Sequence, residues 1–209
     1  MNKIISVKRK SSETVINIEI EHGSLKPNYR SKIKTPLPFL NHMIEHIAWR
    51  AALNISIDME FDEFELCHLV CEDVGMTLGK AVGEYIRLCS PSGYGFALGL
   101  IDEACAEAVI SFEDRALLKF SSDVEYCENV EGMPSEELLT FLDGFTQGAR
   151  CTLFINLKSG ENGHHIWEAV FRAVGIALGA ALTPDKNREG LTSGVAGKVE
   201  YEISTREVQ

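Results

Sequence analysis

Gly163-His164-His165-Ile166-Trp167-Glu168 sets two imidazoles and a carboxylate at the head of an apolar stretch that runs to about Leu182. In a helix, His164 and Glu168 share one face because they are four residues apart, while the adjacent His165 points to another side. A histidine and a glutamate on one face can grip a single divalent ion, although a His-His pair at a helix start also serves as an ordinary polar cap. The chain carries a second version of the phrase. His68-Leu69-Val70-Cys71-Glu72 again sets a histidine four residues before a glutamate, at the head of the apolar segment Asp73 to Tyr85. Two such helix starts, brought together, would gather ligands around metal. Asn41-His42-Met43 is followed one turn later by His46, a spacing that can chelate; His46 also reads as a surface or half-buried helix residue. Cys67 and Cys71 flank His68 and offer soft sulfur, but Cys71 belongs on the helix face beside Glu72.

The elements that must position these groups follow from periodicity. Ser6 to Glu21 alternates as a half-buried strand ending at His22-Gly23, and Tyr29 to Lys34 reads as a second strand. After Pro36 and Pro38, Phe39, Leu40, Met43, Ile44, Ile47 and Ala48 recur at helical spacing up to Arg50. Leu53 to Glu60 is a strand, and the His68 helix stops before the turn cluster Ser90-Pro91-Ser92-Gly93. The second half repeats this order. Ala97 to Arg115 has strand character, with Leu117 to Phe120 as its partner. Ser135 to Arg150 is a helix with Ser135 as N-cap, Thr152 to Leu157 is a strand, and the His164 helix follows. Phe39-Leu40-Asn41 aligns with Phe141-Leu142-Asp143, and His68, Glu72 and Gly79 align with His164, Glu168 and Gly175. An internal duplication is the simplest account.

The expected fold is therefore α/β of the α+β kind: two half-domains, residues 1–92 and 93–185, form one compact domain with a loop-rich tail, 186–209. Each half is a mixed or antiparallel four-stranded sheet with two helices on one face, and the halves pack through those helices. The tail is expected to hold one strand, 198–203.

Of 209 residues, 45% are apolar, enough for a sizeable core. The net charge of −11 argues against nucleic-acid and anionic-membrane partners, which need a basic face. No apolar run reaches the ~20 residues of a membrane span and the first ten residues lack an apolar signal region, so the expected location is cytoplasmic. The six cysteines sit mostly inside apolar patterns, as buried free thiols do.

Phe39-Leu40-Asn41-His42-Met43, His68 to Asp73, Ile101-Asp102-Glu103-Ala104 and Asn162 to Glu168, with Arg9 to Thr14 before them, together resemble the imidazoleglycerol-phosphate dehydratase family over about residues 5 to 185. The resemblance implies a half-domain like the second domain of ribosomal protein S5, duplicated. It also implies a homo-oligomer, a trimer-based 24-mer, and Mn2+, one or two ions per active site. The metal ligands it implies are His42, His68, Glu72, His164, His165 and Glu168; Glu13 and Glu168 are the acid/base carboxylates, and Arg115 and Lys198 bind the phosphate of a small phosphorylated substrate. The implied activity is a hydro-lyase reaction of histidine biosynthesis, removing water from imidazole glycerol phosphate. The proton to be removed lies beside an imidazole ring on an unactivated carbon, so divalent ions on the ring nitrogens supply the missing stabilisation of negative charge.

Several positions depart from the family pattern. Leu69 and Phe154 stand where imidazoles are expected, Arg50 replaces a histidine, Gly93 an arginine, and Leu191 to Val195 replace a Pro-Ser-Thr-Lys-Gly loop. Three readings follow: a divergent dehydratase, a paralogue with one metal acting on another small substrate, and a non-catalytic homologue with no metal or a structural one.

Overall fold

The structure, a computed structural model, describes residues 3–188, 191–195, 197 and 202–206. The alternation expected as one strand from Ser6 to Glu21 is a hairpin of β1, Ile4–Lys10, and β2, Thr14–His22. Ser11 divides them: its Oγ accepts the N–H groups of Glu13 and Thr14 at 3.1 and 3.0 Å, offering the backbone a turn in place of the ladder. Strand β3, Leu53–Phe61, pairs antiparallel with the other side of β2. The strand expected near Tyr29 to Lys34 is instead a 3-10 turn over Tyr29–Lys32, closed by Tyr29 N–H to Lys26 and Ser31 N–H to Asn28. The first sheet consequently has three strands in the order β1-β2-β3, not four.

The second sheet has four. Ala97 to Arg115 also splits, into β4, Tyr94–Ile101, and β5, Ala104–Ser111, around Asp102 in the left-handed region. With β6, Leu117–Ser122, and β9, Thr152–Ser159, the order is β4-β5-β9-β6, and β6 runs parallel to β9. A two-residue hairpin, β7 at Asn129–Val130 and β8 at Met133–Pro134, leads into the third helix.

Four helices, α1 (Pro38–Arg50), α2 (Cys67–Cys89), α3 (Ser135–Ala149) and α4 (Gly163–Leu182), lie between the sheets. Helix α2 rests on β1 and β2, and α4 on β4 and β5. Across the middle, α2 packs on α3 and α1 on α4. Ser135 is not the N-cap of α3, which is Pro134. The Ser135 hydroxyl instead donates to the Cys127 carbonyl at 2.6 Å and accepts the indole N–H of the fully buried Trp167 at 3.1 Å, so it ties α3 to α4. With mean hydropathy 1.3, α4 is long and apolar enough to cross a membrane, against the expectation that no segment would be; most of it is buried between α1 and the second sheet, which accounts for its composition. Lys198 and most of the strand expected from it lie outside the described residues.

Candidate metal centre

Asn162 starts α4. Its side chain accepts the N–H groups of His164 and His165 at 2.9 and 3.3 Å, and Glu103, in the β4–β5 turn, accepts those of Asn162 and Glu161 at 2.8 and 3.2 Å. The helix start is thus fixed to the sheet before any ligand is considered. From it His164 projects toward α1, where Phe39 and His42 lie against its ring.

The contact of α1 with α4 gathers a carboxylate and imidazoles. Glu168 is buried, 7% exposed in its side chain, and its Oε2 lies 3.3 Å from His164 Nε2 and 3.6 Å from His42 Nε2. Among the described residues His42, His164 and Glu168 form a group whose ligand atoms all lie within 4.8 Å of one another. The outward nitrogens have carboxylates: His164 Nδ1 is 3.0 Å from Glu131 and His42 Nδ1 is 3.6 Å from Glu45. At His164 the 3.0 Å contact is a hydrogen bond, and a proton held on Nδ1 by Glu131 leaves Nε2 as a lone pair facing inward, the arrangement typical of metal-ligating histidines. His46, set aside on sequence grounds, belongs to the same cluster. Its Nε2 is 3.3 Å from Glu168 Oε1 and 3.4 Å from His42 Nε2, because one helical turn on α1 stacks the two rings over the same carboxylate.

Arg172, one turn after Glu168, was also not singled out in the sequence, although its i,i+4 spacing from a glutamate was a usable signal. It donates to Glu168 Oε1 and to the Leu100 carbonyl, the latter at 2.7 Å, joining the cluster to β4. Burial works to raise the Glu168 carboxyl, but the His46 imidazole and the Arg172 guanidinium more than offset it, and Glu168 sits below the ordinary carboxylate range. Burial pushes the His46 imidazole down to about 4, which keeps it neutral at physiological pH. Neutral imidazoles with an ionised carboxylate are a suitable donor set for a first-row divalent ion.

The other expected ligands stand elsewhere in this chain. His165 turns to the second sheet, with Nδ1 2.9 Å from Glu103 and Nε2 3.6 Å from Asp102. Backbone donors and His165 pull Glu103 down to about 2, and Glu103 in turn raises His165. His68 is largely exposed, with Nδ1 3.0 Å from Glu137 of α3. Glu72 follows it on α2. Glu13 is exposed in the β1–β2 turn; its neighbour Thr14 donates at 2.6 Å to buried Asp73, which Arg9 also holds at 2.6 Å. Arg115 is exposed on the β5–β6 loop, where its carbonyl accepts from Thr152. Cys71 is buried and burial pushes its thiol upward, as it does that of Cys151 to about 12, so neither behaves as a thiolate ligand. A cavity of about 340 Å³ lies at the C-terminal ends of α2 and α3, lined by Lys80, Arg87 and Arg150 among others. It shares no residue with the imidazole cluster.

The profile of one family, imidazoleglycerol-phosphate dehydratase, matches residues 35–178. The chain belongs to that family. Curated relatives of that name include one from Anaeromyxobacter sp. (strain Fw109-5), 34% identical with 90% of this chain and 91% of the relative covered. Another, from Burkholderia multivorans, is 34% identical, with 94% and 100% covered. The crystal structure of imidazoleglycerol-phosphate dehydratase from Staphylococcus aureus superposes with a TM-score of 0.75 at 29% identity, covering 88% of this chain and all of that one. The enzyme from Pyrococcus furiosus gives 0.72 at 28%, covering 92% and 100%. Imidazoleglycerol-phosphate dehydratases are metal-dependent lyases of histidine biosynthesis, oligomeric and acting on a phosphorylated substrate, and the His42–His164–Glu168 group is a possible metal site of that kind.

Proposed function

We propose that this chain is a working imidazoleglycerol-phosphate dehydratase whose α1–α4 contact holds a divalent ion, Mn2+ by the resemblance, on His42, His164 and Glu168. One observation carries the reading: three groups from two helices meet at 3.3–3.6 Å around one buried, ionised carboxylate. When bound there, the ion supplies Lewis acidity toward an imidazole nitrogen of the substrate. The residues of the chain do the rest. Glu131 and Glu45 orient the histidines, and Arg172 fixes the carboxylate and keeps it ionised.

Glu168, so engaged, suits a ligand better than a proton carrier. We assign proton transfer to Glu13, which stands with His68 and Glu72 near the start of α2 through the Thr14–Asp73 bond. His68 is pinned through Nδ1 and turns its Nε2 outward. That group and the α1–α4 cluster occupy different helix pairs, so we place the complete site between copies, in a homo-oligomer built as a trimer-based 24-mer. Two halves, residues 1–92 and 93–185, from one duplicated ancestor, would supply one face each, in a cytoplasmic enzyme. The phosphate then falls to Arg115, with Lys198 as its partner.

A second reading, a paralogue with one ion acting on another small substrate, is favoured by the apolar Leu69 and by Phe154, 40% exposed on the outer face of β9. Metal analysis of the purified protein, followed by an assay on imidazole glycerol phosphate with added Mn2+, decides between them. Turnover that disappears on chelation supports the first; a bound ion without turnover transfers support to the second.

A further inference from the structure

His46 is a residue for which the family resemblance offers no role, yet its imidazole is inside the cluster. Its side chain is 15% exposed, and its Nε2 stands 3.3 Å from Glu168 Oε1 and 3.4 Å from His42 Nε2. For metal–ligand bonds of about 2.0–2.4 Å, neighbouring ligands on an octahedron stand about 3 Å apart. Separations of 3.3 and 3.6 Å join His164 and His42 to Glu168 Oε2, and 3.3 and 3.4 Å join His46 to Oε1 and to His42; the group whose atoms all lie within 4.8 Å of one another is His42, His164 and Glu168, so His46 joins the ion by a turn of its ring. Hydrogen bonding alone serves these groups poorly. If His42 and His46 both donate Nε2–H to Glu168, two N–H groups face each other at 3.4 Å; if one does not, its lone pair faces the carboxylate. A shared cation satisfies every inward atom at once.

We infer that His46 is a metal ligand, so that one subunit alone presents three imidazoles and a carboxylate, His42, His46, His164 and Glu168, to a single ion. The inference rests on the proposed ion at His42, His164 and Glu168. It gives the α1–α4 face a fourth donor within the subunit. Arg172 completes the arrangement as a positioning residue: by donating to Oε1 it fixes the carboxylate while Oε2 faces the His42 and His164 nitrogens.

The test uses the full-length protein, stripped with chelator and loaded with one equivalent of Mn2+ alone. Mn2+ affinity comes from calorimetry, and nitrogen coordination from the 14N modulation in pulsed electron paramagnetic resonance. Two variants are compared with the parent. His46→Ala removes the imidazole, and His46→Gln keeps a hydrogen-bond donor near Glu168 while removing the imidazole nitrogen. Groups that act only behind a ligand typically cost 10–100-fold in affinity when removed. As a ligand, His46 should cost more than about 100-fold in both variants, with one coordinated nitrogen lost and an unchanged circular dichroism spectrum. The same nitrogen count in His46→Gln as in the parent overturns the inference, because His46 then only positions Glu168. A parent protein that takes up no Mn2+ fails earlier, and takes the proposed metal centre with it.

Discussion

The two helix pairs across the middle of the molecule, α1 on α4 and α2 on α3, are placed alike and do different things. In the α1–α4 pair, His42 and His46 face Glu168. In the α2–α3 pair the positions that align with them, counted from Phe141-Leu142-Asp143, are Gly144 and Gly148, and they face Glu72 and Met76. A Cβ at Gly144 would stand 2.6 Å from the Glu72 carbonyl oxygen, so those two backbones are too close for a side chain there. Gly75, Gly79 and Gly83 of α2 contribute the same closeness from the other side. Both pairs approach closely on glycine, since a Cβ at Gly175 of α4 would stand 2.9 Å from the His46 carbonyl oxygen, but only the α1–α4 pair carries imidazoles at the facing positions 42 and 46. Similar motifs thus acquire different partners: Glu168 meets His42, His46 and His164, whereas His68 meets Glu137 of α3.

The widest separation between the pairs is expected in metal binding. Glu168→Gln should remove the tightly bound ion and reduce dehydration by roughly 100–1000-fold, the order associated with losing a group that stabilises transition-state charge. Glu72→Gln should leave one ion per chain by metal analysis; loss of all metal in both variants would erase the distinction. Packing comes next. Gly144→Ala should lower stability by about 2 kcal/mol in chemical denaturation, since overpacking a tight contact typically costs ~1–3 kcal/mol, and a neutral result would mean that glycine is not what closes the α2–α3 pair. The smallest difference lies at the helix starts. Asn162 caps α4, while α2 begins after Leu66 with no side-chain cap. Asn162→Ala should cost ~1 kcal/mol and Leu66→Asn should gain several tenths, both read from denaturation midpoints of chelator-treated protein; equal and opposite neglect of both changes would show that the caps do not distinguish the two starts.

Some of this was legible along the chain because it depends on local spacing. His164 and Glu168 share a face by helical geometry alone, His165 is turned from it for the same reason, and the aligned halves forecast helices packed on helices between sheets. Other features depend on hydrogen bonds that compete with the regular pattern. Ser11 cuts one apparent strand into two, and turn bonds at Lys26 and Asn28 replace the expected fourth strand of the first sheet with a 3-10 turn. Ser135 looked like a cap and serves as a hydroxyl bridge between α3 and Trp167.

By itself the sequence determined the four helices, their apolar faces and the i,i+4 pairing of His164 with Glu168, since each is set by residues within a turn or two of one another. Only the tertiary structure decided which histidines meet that carboxylate. The choice depends on which helices pack together, α1 on α4 and α2 on α3, a pairing of segments distant in sequence. His46 entered the cluster because α1 packs on α4, and His68 was left out of it because α2 packs on α3, where it meets Glu137.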